Sequence, residues 1–221
     1  MEMISVRLPT RTLAETADYF ESWGCVITPA MAGEVTVRIG HSRITFVGDR
    51  EFVGDHHLAF TVPTGAFDAA KHFISQRVAL LRRNGIEDFE CPVSWNARSV
   101  YFDGPDGQLL EFIERRDRAD RIDHPFTTRD LVSVSEIGIA VPDVLETVSQ
   151  LEASGLSPYG DPPTPGFAAV GDVDGLLIIV PHGRVWRPTD NRVAAQAHVD
   201  VISDAGVVWP PQSSRSATAA S

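Results

Sequence analysis

The chain has 221 residues, of which 43% are hydrophobic and 22% are charged, and its formal net charge is -11 at pH 7. This composition is typical of a soluble globular protein of one or two domains with a core of its own. The acidic balance argues against nucleic acid as a partner, because phosphate binding needs a basic surface. No apolar run approaches the roughly 20 residues of a membrane span, so we also expect no membrane contact.

The two cysteines are too few for a disulfide framework. The N-terminal stretch MEMISVRLPTR contains no apolar segment of the kind found in secretory signals. We therefore expect a cytoplasmic protein in which Cys25 and Cys91 are reduced thiols packed in or near the core.

A short alternating strand, a proline and an amphipathic helix follow one another three times along the chain. The openings read MISVRLPTRTLAETADYFESWG from residue 3, HLAFTVPTGAFDAAKHFISQRV from residue 57 and EIGIAVPDVLETVSQLEASGL from residue 136. Apolar side chains recur at helical spacing in each helix. They are Leu13, Ala17 and Phe20 in the first helix, Phe67, Ala70 and Ile74 in the second, and Val144, Val148 and Leu151 in the third. The repetition predicts one supersecondary unit used three times.

Further strand-like segments, joined by tight turns, follow each helix. They occupy 35–49, 99–115 and 167–183. Their turns, GHS, GPDG and DVDG, suit hairpins. The sequence therefore predicts an α+β fold built from three βαβββ units. The units lie at about 3–49, 57–115 and 136–183.

Two segments fall outside these units. Residues 117–131 are charged and aperiodic, which indicates a linker. The tail, residues 190–221, ends in small and polar residues, and we expect its last dozen residues to be disordered.

An acidic residue interrupts the apolar face of the last strand in the second unit. Leu109, Glu111 and Ile113 share that face, because side chains alternate along a strand with a period of two. An ionised carboxylate in such a place costs several kcal/mol unless it is paired, hydrogen-bonded or bound to a metal. Glu111 is therefore a candidate functional residue.

Two stretches of the second unit carry a family pattern, HHLAFTV at 56–62 and GPDGQLLEFIE at 104–114. Together with the repeat, they resemble the vicinal oxygen chelate superfamily, which includes glyoxalases, bleomycin-resistance proteins and extradiol dioxygenases. The stretch SWNARSVYF is further similar to a bacterial branch of these proteins. The resemblance implies that the first two units pair within a domain at 1–116, as a half-open barrel with its helices outside and a metal or ligand cleft inside. Residues 132–189 would form a third unit.

Strand alternation then assigns side chains to the cleft. In the second unit, His57, Ala59 and Thr61 are expected to face the cleft, with Leu58, Phe60 and Val62 facing the helices. By the same rule, the cleft side has Met3, Ser5 and Arg7 in the first unit and Glu136, Gly138 and Ala140 in the third.

The resemblance implies His57 and Glu111 as catalytic residues and as half of a metal site. The corresponding positions are Met3 and Thr45 in the first unit and Glu136 and Ile178 in the third. Met and Thr are poor ligands for a hard divalent cation. Two protein ligands are fewer than the three that are usual for zinc or non-haem iron.

Three interpretations of this pair remain open. In the first, the domain is metal-free, and His57 and Glu111 form a buried acid–base pair. In the second, another group completes a site for one divalent metal, Fe²⁺, Mn²⁺, Ni²⁺ or Zn²⁺. Glu136 does so if the third unit rather than the first packs on the second, and water, substrate oxygens or Thr45 could also contribute. In the third, both residues are structural and bridged by water.

Other residues have weaker claims on the cleft. Arg7 could bind a substrate carboxylate or phosphate, because Arg makes bidentate contacts. Trp95 and Asn96 precede a cleft strand and could form a pocket wall that binds substrate. We expect Trp186, after the third unit, to seal the edge of that unit.

The expected ligand is a small molecule, and two functions are open. One is an enzyme of lyase, isomerase or dioxygenase type acting on an oxygen-rich or aromatic metabolite. The other is a metal-free binding protein of the bleomycin-resistance type. An unpaired third unit would leave an open sheet edge, so we also expect a homodimer in which two such units pair.

Overall fold

The computed structural model describes residues 1–29 and 31–211. The first unit contains β1 (Met3–Thr10), α1 (Leu13–Ser22), β2 (Val26–Pro29), β3 (Glu34–Ile39) and β4 (Ser42–Gly48). The second contains β5 (His57–Val62), α2 (Phe67–Ser75), β6 (Phe89–Glu90), β7 (Ala97–Asp103) and β8 (Leu109–Arg115). The third contains β9 (Val134–Val141), α3 (Val144–Ala153), β10 (Ala168–Asp172) and β11 (Gly175–Pro181). A hairpin of β12 (Asp200–Ser203) and β13 (Gly206–Trp209) follows.

These elements confirm the α+β fold and the three helices expected from the apolar spacing. Phe20, Ile74 and Leu151 are fully buried, one on each helix, so each helix packs its apolar stripe against the sheet. None of the helices in the described part of the chain is long and apolar enough to cross a membrane.

The third unit differs from the predicted βαβββ pattern, because only two strands follow its helix. Residues 154–167 form a loop instead, joined to β10 by the single bridge between Pro158 and Val170. This loop, which has no strand partner along most of its length, is free to form part of a cavity wall.

The second and third units pair with each other through their first strands. β5 runs antiparallel to β9, with Leu58 opposite Ile137 and Ala59 opposite Glu136. β5 also pairs with β8, and β9 with β11, both in parallel. The cleft therefore lies between the second and third units, and not between the first two units as the resemblance implied for 1–116. The boundaries of the predicted domain and of the linker at 117–131 stay predictions.

The first unit is completed by a part of the chain that the sequence analysis placed in the tail. β12 pairs antiparallel with β1, with Val6 opposite Val201, and β13 pairs with β12. Residues 200–209 are thus part of the sheet. The disorder expected for the last dozen residues, 210–221, stays a prediction, because all but the first two of them lie outside the described residues. The homodimer was expected because the third unit would have an open sheet edge. The first strand of that unit, β9, is already paired with β5, so this reason no longer holds and the homodimer stays a prediction.

Two apolar clusters lie on opposite faces of the sheet, as the alternation predicts. Leu58, Phe60 and Val62 belong to the main cluster beneath the helices, whereas Ala59 belongs to a smaller cluster on the other face. Met3 is an exception, because it is fully buried in the main cluster and does not face a cleft. The pairing of β1 with β12 shifts register between Met3 and Ser5, which breaks the regular alternation there.

Burial makes both cysteines poor nucleophiles. It raises the pKa of the Cys25 thiol from 9.0 to about 12. Burial and the charge of Glu111 raise the pKa of the Cys91 thiol to about 12 as well.

We expect iodoacetamide at pH 8 to modify both thiols about a thousandfold more slowly in the native protein than in urea, since the thiolate is the reacting species. Mass spectrometry of timed samples measures both rates, and equal rates in the two states would contradict the burial.

Candidate metal centre and its cavity

Three buried side chains converge where β5, β8 and β9 lie side by side. His57, Glu111 and Glu136 each offer one ligand atom, and these atoms all lie within 4.8 Å of one another. His57 Nε2 is 3.5 Å from Glu111 Oε2 and 3.6 Å from Glu136 Oε2. The register explains the meeting, because Ala59 of β5 is the neighbour of Glu111 on one side and of Glu136 on the other.

The spacing of the three atoms fits a bound cation better than a direct hydrogen bond. An N–H···O bond brings its heavy atoms to about 2.9 Å. Two ligand atoms that share a tetrahedral zinc ion at about 2.1 Å are about 3.4 Å apart. The distances of 3.5 and 3.6 Å from His57 Nε2 are close to the second value. An imidazole nitrogen and two carboxylates suit Fe²⁺, Mn²⁺, Ni²⁺ or Zn²⁺.

A carbonyl fixes the orientation of the imidazole ring. His57 Nδ1 lies 3.3 Å from the carbonyl oxygen of Leu109. A carbonyl oxygen only accepts hydrogen bonds, so Nδ1 carries the proton in this contact. Nε2 is thereby directed at the two carboxylates, and a metal there would find the ring already oriented.

Each carboxylate is held by a second partner through its other oxygen. The Ser99 hydroxyl donates to Glu111 Oε1. The fully buried Arg115 donates from Nη2 to Glu136 Oε1, and its Nε donates to Ser135 Oγ at 3.1 Å. Supporting hydrogen bonds of this kind orient metal ligands in proteins.

Burial and mutual charge shift the titration of the site. Burial and the neighbouring Glu136 carboxylate raise the pKa of Glu111 from 4.5 to about 7. Burial by itself would lower the pKa of His57, but the carboxylates of Glu136 and Glu111 outweigh it, so the pKa is raised above 6.5. The two carboxylates therefore stabilise the protonated ring relative to a free imidazole, and a divalent cation bound at Nε2 would displace that proton.

A cavity of about 420 Å³ opens onto the site. His57 and Glu136 line it, whereas Glu111 lies behind them at 1% exposure. Six aromatic side chains contribute to its walls: Phe89, Trp95, Tyr101, Tyr159, Phe167 and Trp186. The volume is that of a small-molecule site.

Trp186 covers the imidazole, a contact that the sequence analysis did not foresee. Its ring centroid is 5.3 Å from that of His57. Its Nε1 donates to the carbonyl oxygen of Asp55 at 2.8 Å, which holds the indole in place. The close approach requires a glycine in β9, since a Cβ at Gly138 would be 2.6 Å from the Trp186 ring.

The residues proposed for substrate binding lie in different places. Trp95 lines the cavity and packs on Tyr159 at 5.7 Å. The Asn96 side chain donates to Asp117 Oδ1 at 2.7 Å on the exposed surface. Arg7 does not line this cavity, and its guanidinium pairs with Glu34 at 2.6 Å in the first unit.

The other positions at which the resemblance implied a metal ligand also lie in different places. Met3 is in the main core, and Thr45 hydrogen-bonds Thr36 at 2.9 Å within the first unit. Ile178 lines the cavity, at the place in the third unit that Glu111 occupies in the second. The site therefore contains three candidate protein ligands, with an apolar side chain at the fourth family position. The role of Arg115 beside Glu136 was not predicted either, because a charged residue at the end of a strand is normally expected to face solvent, and only the fold shows that it is buried.

Comparisons with solved structures show what fold this is. A putative dioxygenase from Bacillus subtilis subsp. subtilis str. 168 matches with a TM-score of 0.56 and 16% identity, over 94% of this chain and 68% of that chain. Glyoxalase I from Zea mays matches with a TM-score of 0.53 and 14% identity, over 91% of this chain and 72% of that chain. No protein-family model and no curated protein sequence matches this chain. The likeness is thus one of fold, and the reaction has to be argued from the site.

Replacing Gly138 by Ala tests the packing of Trp186 over the site. The added methyl group would lie 2.6 Å from Trp186 and 3.0 Å from His57 Cβ, so both must move. We expect Gly138→Ala to lower the free energy of unfolding by about 1–3 kcal/mol in urea denaturation. Gly166→Ala is the matched control, because the nearest atom to its Cβ is 3.9 Å away. Equal stability of the two variants would show that the indole does not pack as described.

Proposed function

We propose that this protein, whose chain has the glyoxalase/bleomycin-resistance fold of the vicinal oxygen chelate superfamily, is a divalent-metal-dependent enzyme for a small oxygen-rich or aromatic metabolite. The reaction would be of lyase, isomerase or dioxygenase type. The observation that carries the proposal is the convergence of His57, Glu111 and Glu136 at an aromatic cavity. A catalytic metal usually has three protein ligands and keeps a position for substrate, and this set supplies three.

His57 Nε2 and one oxygen each of Glu111 and Glu136 would hold the metal, which when bound supplies a Lewis acid that polarises a substrate oxygen. The chain orients these ligands beforehand. Leu109 fixes the ring and Arg115 fixes the carboxylate of Glu136. Such preorganisation avoids rearrangement during the reaction.

Tyr101 is a candidate hydrogen-bond donor to substrate. It lines the cavity, and its ring centroid is 6.4 Å from that of His57. Burial and the charge of Glu111 raise the pKa of Tyr101 well above 10, so its hydroxyl keeps its proton at neutral pH. A neutral phenol beside the site can stabilise negative charge that develops on a substrate oxygen.

Two tryptophans that border the cavity are themselves well packed. Trp186 is 5% exposed and Trp95 is 7% exposed. A substrate that filled the cavity against these rings would displace water from it, which strengthens each electrostatic contact made within it.

A metal-free binding protein is the second candidate function. It is favoured by Ile178, which leaves the metal site without a fourth protein ligand. It is also favoured by charge balance, because the carboxylates of Glu111 and Glu136 have His57 and Arg115 as neighbours of opposite sign. The cytoplasmic location and the homodimer stay predictions under both functions.

Metal analysis of three Glu→Gln variants separates the two functions. We expect protein purified without chelator to contain about one Fe²⁺, Mn²⁺, Ni²⁺ or Zn²⁺ per chain, measured by elemental mass spectrometry. Glu111→Gln and Glu136→Gln should each lose most of it, since a neutral amide is a weaker ligand than a carboxylate.

Glu114→Gln is the matched control. Glu114 is a buried carboxylate of the same strand, but it pairs with Arg98 at 2.9 Å on the other face. The Glu114→Gln protein should therefore retain the metal. A wild-type protein that takes up none of these ions, even when each is added in excess, would support the binding protein and contradict the enzyme.

A further inference from the structure

We propose that the substrate is an organic anion, a carboxylate on a planar apolar body, and that Arg184 and Arg187 bind its carboxylate in the cavity. This inference rests on the proposed function, because it names the substrate class of the same site. Both arginines line the cavity together with His57 and Glu136. A carboxylate bound there would lie in the same space as the candidate metal centre.

A short arm of the chain positions the two arginines. Trp186 N donates to the carbonyl oxygen of Arg192 at 2.7 Å, and Ala194 N donates to that of Arg184 at 2.8 Å. The arm is tied to the second unit where Asp55 N donates to the Val193 carbonyl oxygen at 2.7 Å. Arg184 and Arg187 therefore flank the indole that covers His57, on a hydrogen-bonded segment.

The two guanidinium groups are available to a ligand. Within residues 1–29 and 31–211, neither Arg184 nor Arg187 has a carboxylate oxygen within the 4.0 Å of an ion pair. Arg184 is half-buried and Arg187 is exposed, so a ligand can reach both. Other unpaired arginines exist on this chain, such as Arg43 on β4, but these two line the cavity.

The acidic residues of the cavity do not cancel this charge. Glu90 is engaged by Arg116, whose Nη2 lies 2.9 Å from Glu90 Oε1. Asp161 accepts a hydrogen bond from the Ser94 hydroxyl at 3.5 Å. Among the described residues, the cavity therefore has two guanidinium groups without an ion-pair partner and one carboxylate, Asp161, that no arginine or lysine neutralises. This excess of positive charge favours an anionic ligand, because Arg binds carboxylates through paired hydrogen bonds.

The walls select a flat apolar body. Phe167 is 37% exposed although it is a large apolar side chain, and it lines the cavity at the end of the loop that replaces a strand in the third unit. Trp95 and Tyr159 meet nearly edge to face, at 64°, on the same cavity. Aromatic rings arranged in this way bind planar apolar groups, and a cavity of about 420 Å³ limits the ligand to a small molecule.

Small probes that differ in charge test the subsite. The probes are benzoate, its neutral analogue benzamide, and benzenesulfonate, an anion that binds metal ions weakly. We expect both anions to bind the metal-loaded protein about tenfold or more tightly than benzamide, measured by isothermal titration calorimetry. The double variant Arg184→Gln with Arg187→Gln should lose this preference while it keeps its metal. Arg43→Gln, on an exposed strand position of the first unit, is the control and should keep both.

The outcomes separate this inference from the proposed function. An anion preference that survives the double substitution, or benzamide binding as tight as benzoate binding, overturns the subsite even when the metal is present. A protein that takes up no metal but keeps an arginine-dependent preference overturns the metal-dependent enzyme and leaves the anion subsite in place.

Discussion

Two carboxylates, Glu111 and Glu136, lie next to each other on the cavity side of the sheet, beside a small apolar cluster, and both are almost completely removed from water. Isolated charges in such a place cost several kcal/mol, so the site is stable only if positive charge is within reach. Arg115 supplies one charge at Glu136, and His57 or a cation supplies the other between the two carboxylates.

The pairing of β5 with β9 is what brings the charges together. Each strand contributes one candidate ligand, His57 from one and Glu136 from the other, and β8 adds Glu111 through its register with β5. A slip of one residue in either pairing would turn a ligand toward the helices, because side chains alternate in direction. In the first unit, the first strand β1 pairs instead with β12 of the C-terminal hairpin. Of the described residues that line the cavity, none comes from the first unit.

Local patterns in the sequence were sufficient for the three helices and for the faces of the strands that form the site. Helical spacing located α1, α2 and α3, and the two-residue period placed His57 and Glu111 on the cleft side. The partner of the second unit was beyond such patterns, because each unit offers a similar first strand and the choice depends on long-range pairing. Glu136 was therefore only one of several groups proposed to complete the site. Trp186, Arg115 and the hairpin at 200–209 were missed for the same reason, since their burial comes from contacts distant in sequence.

The central claim, that His57, Glu111 and Glu136 hold a divalent cation, is tested most directly by anomalous X-ray scattering from crystals of protein purified without chelator. We expect one anomalous peak at about 2.0–2.2 Å from His57 Nε2 and from one oxygen of each carboxylate. The absence of a peak after soaking with Fe²⁺, Mn²⁺, Ni²⁺ and Zn²⁺ in turn, with His57 Nε2 hydrogen-bonded to a carboxylate at about 2.8 Å, would contradict it.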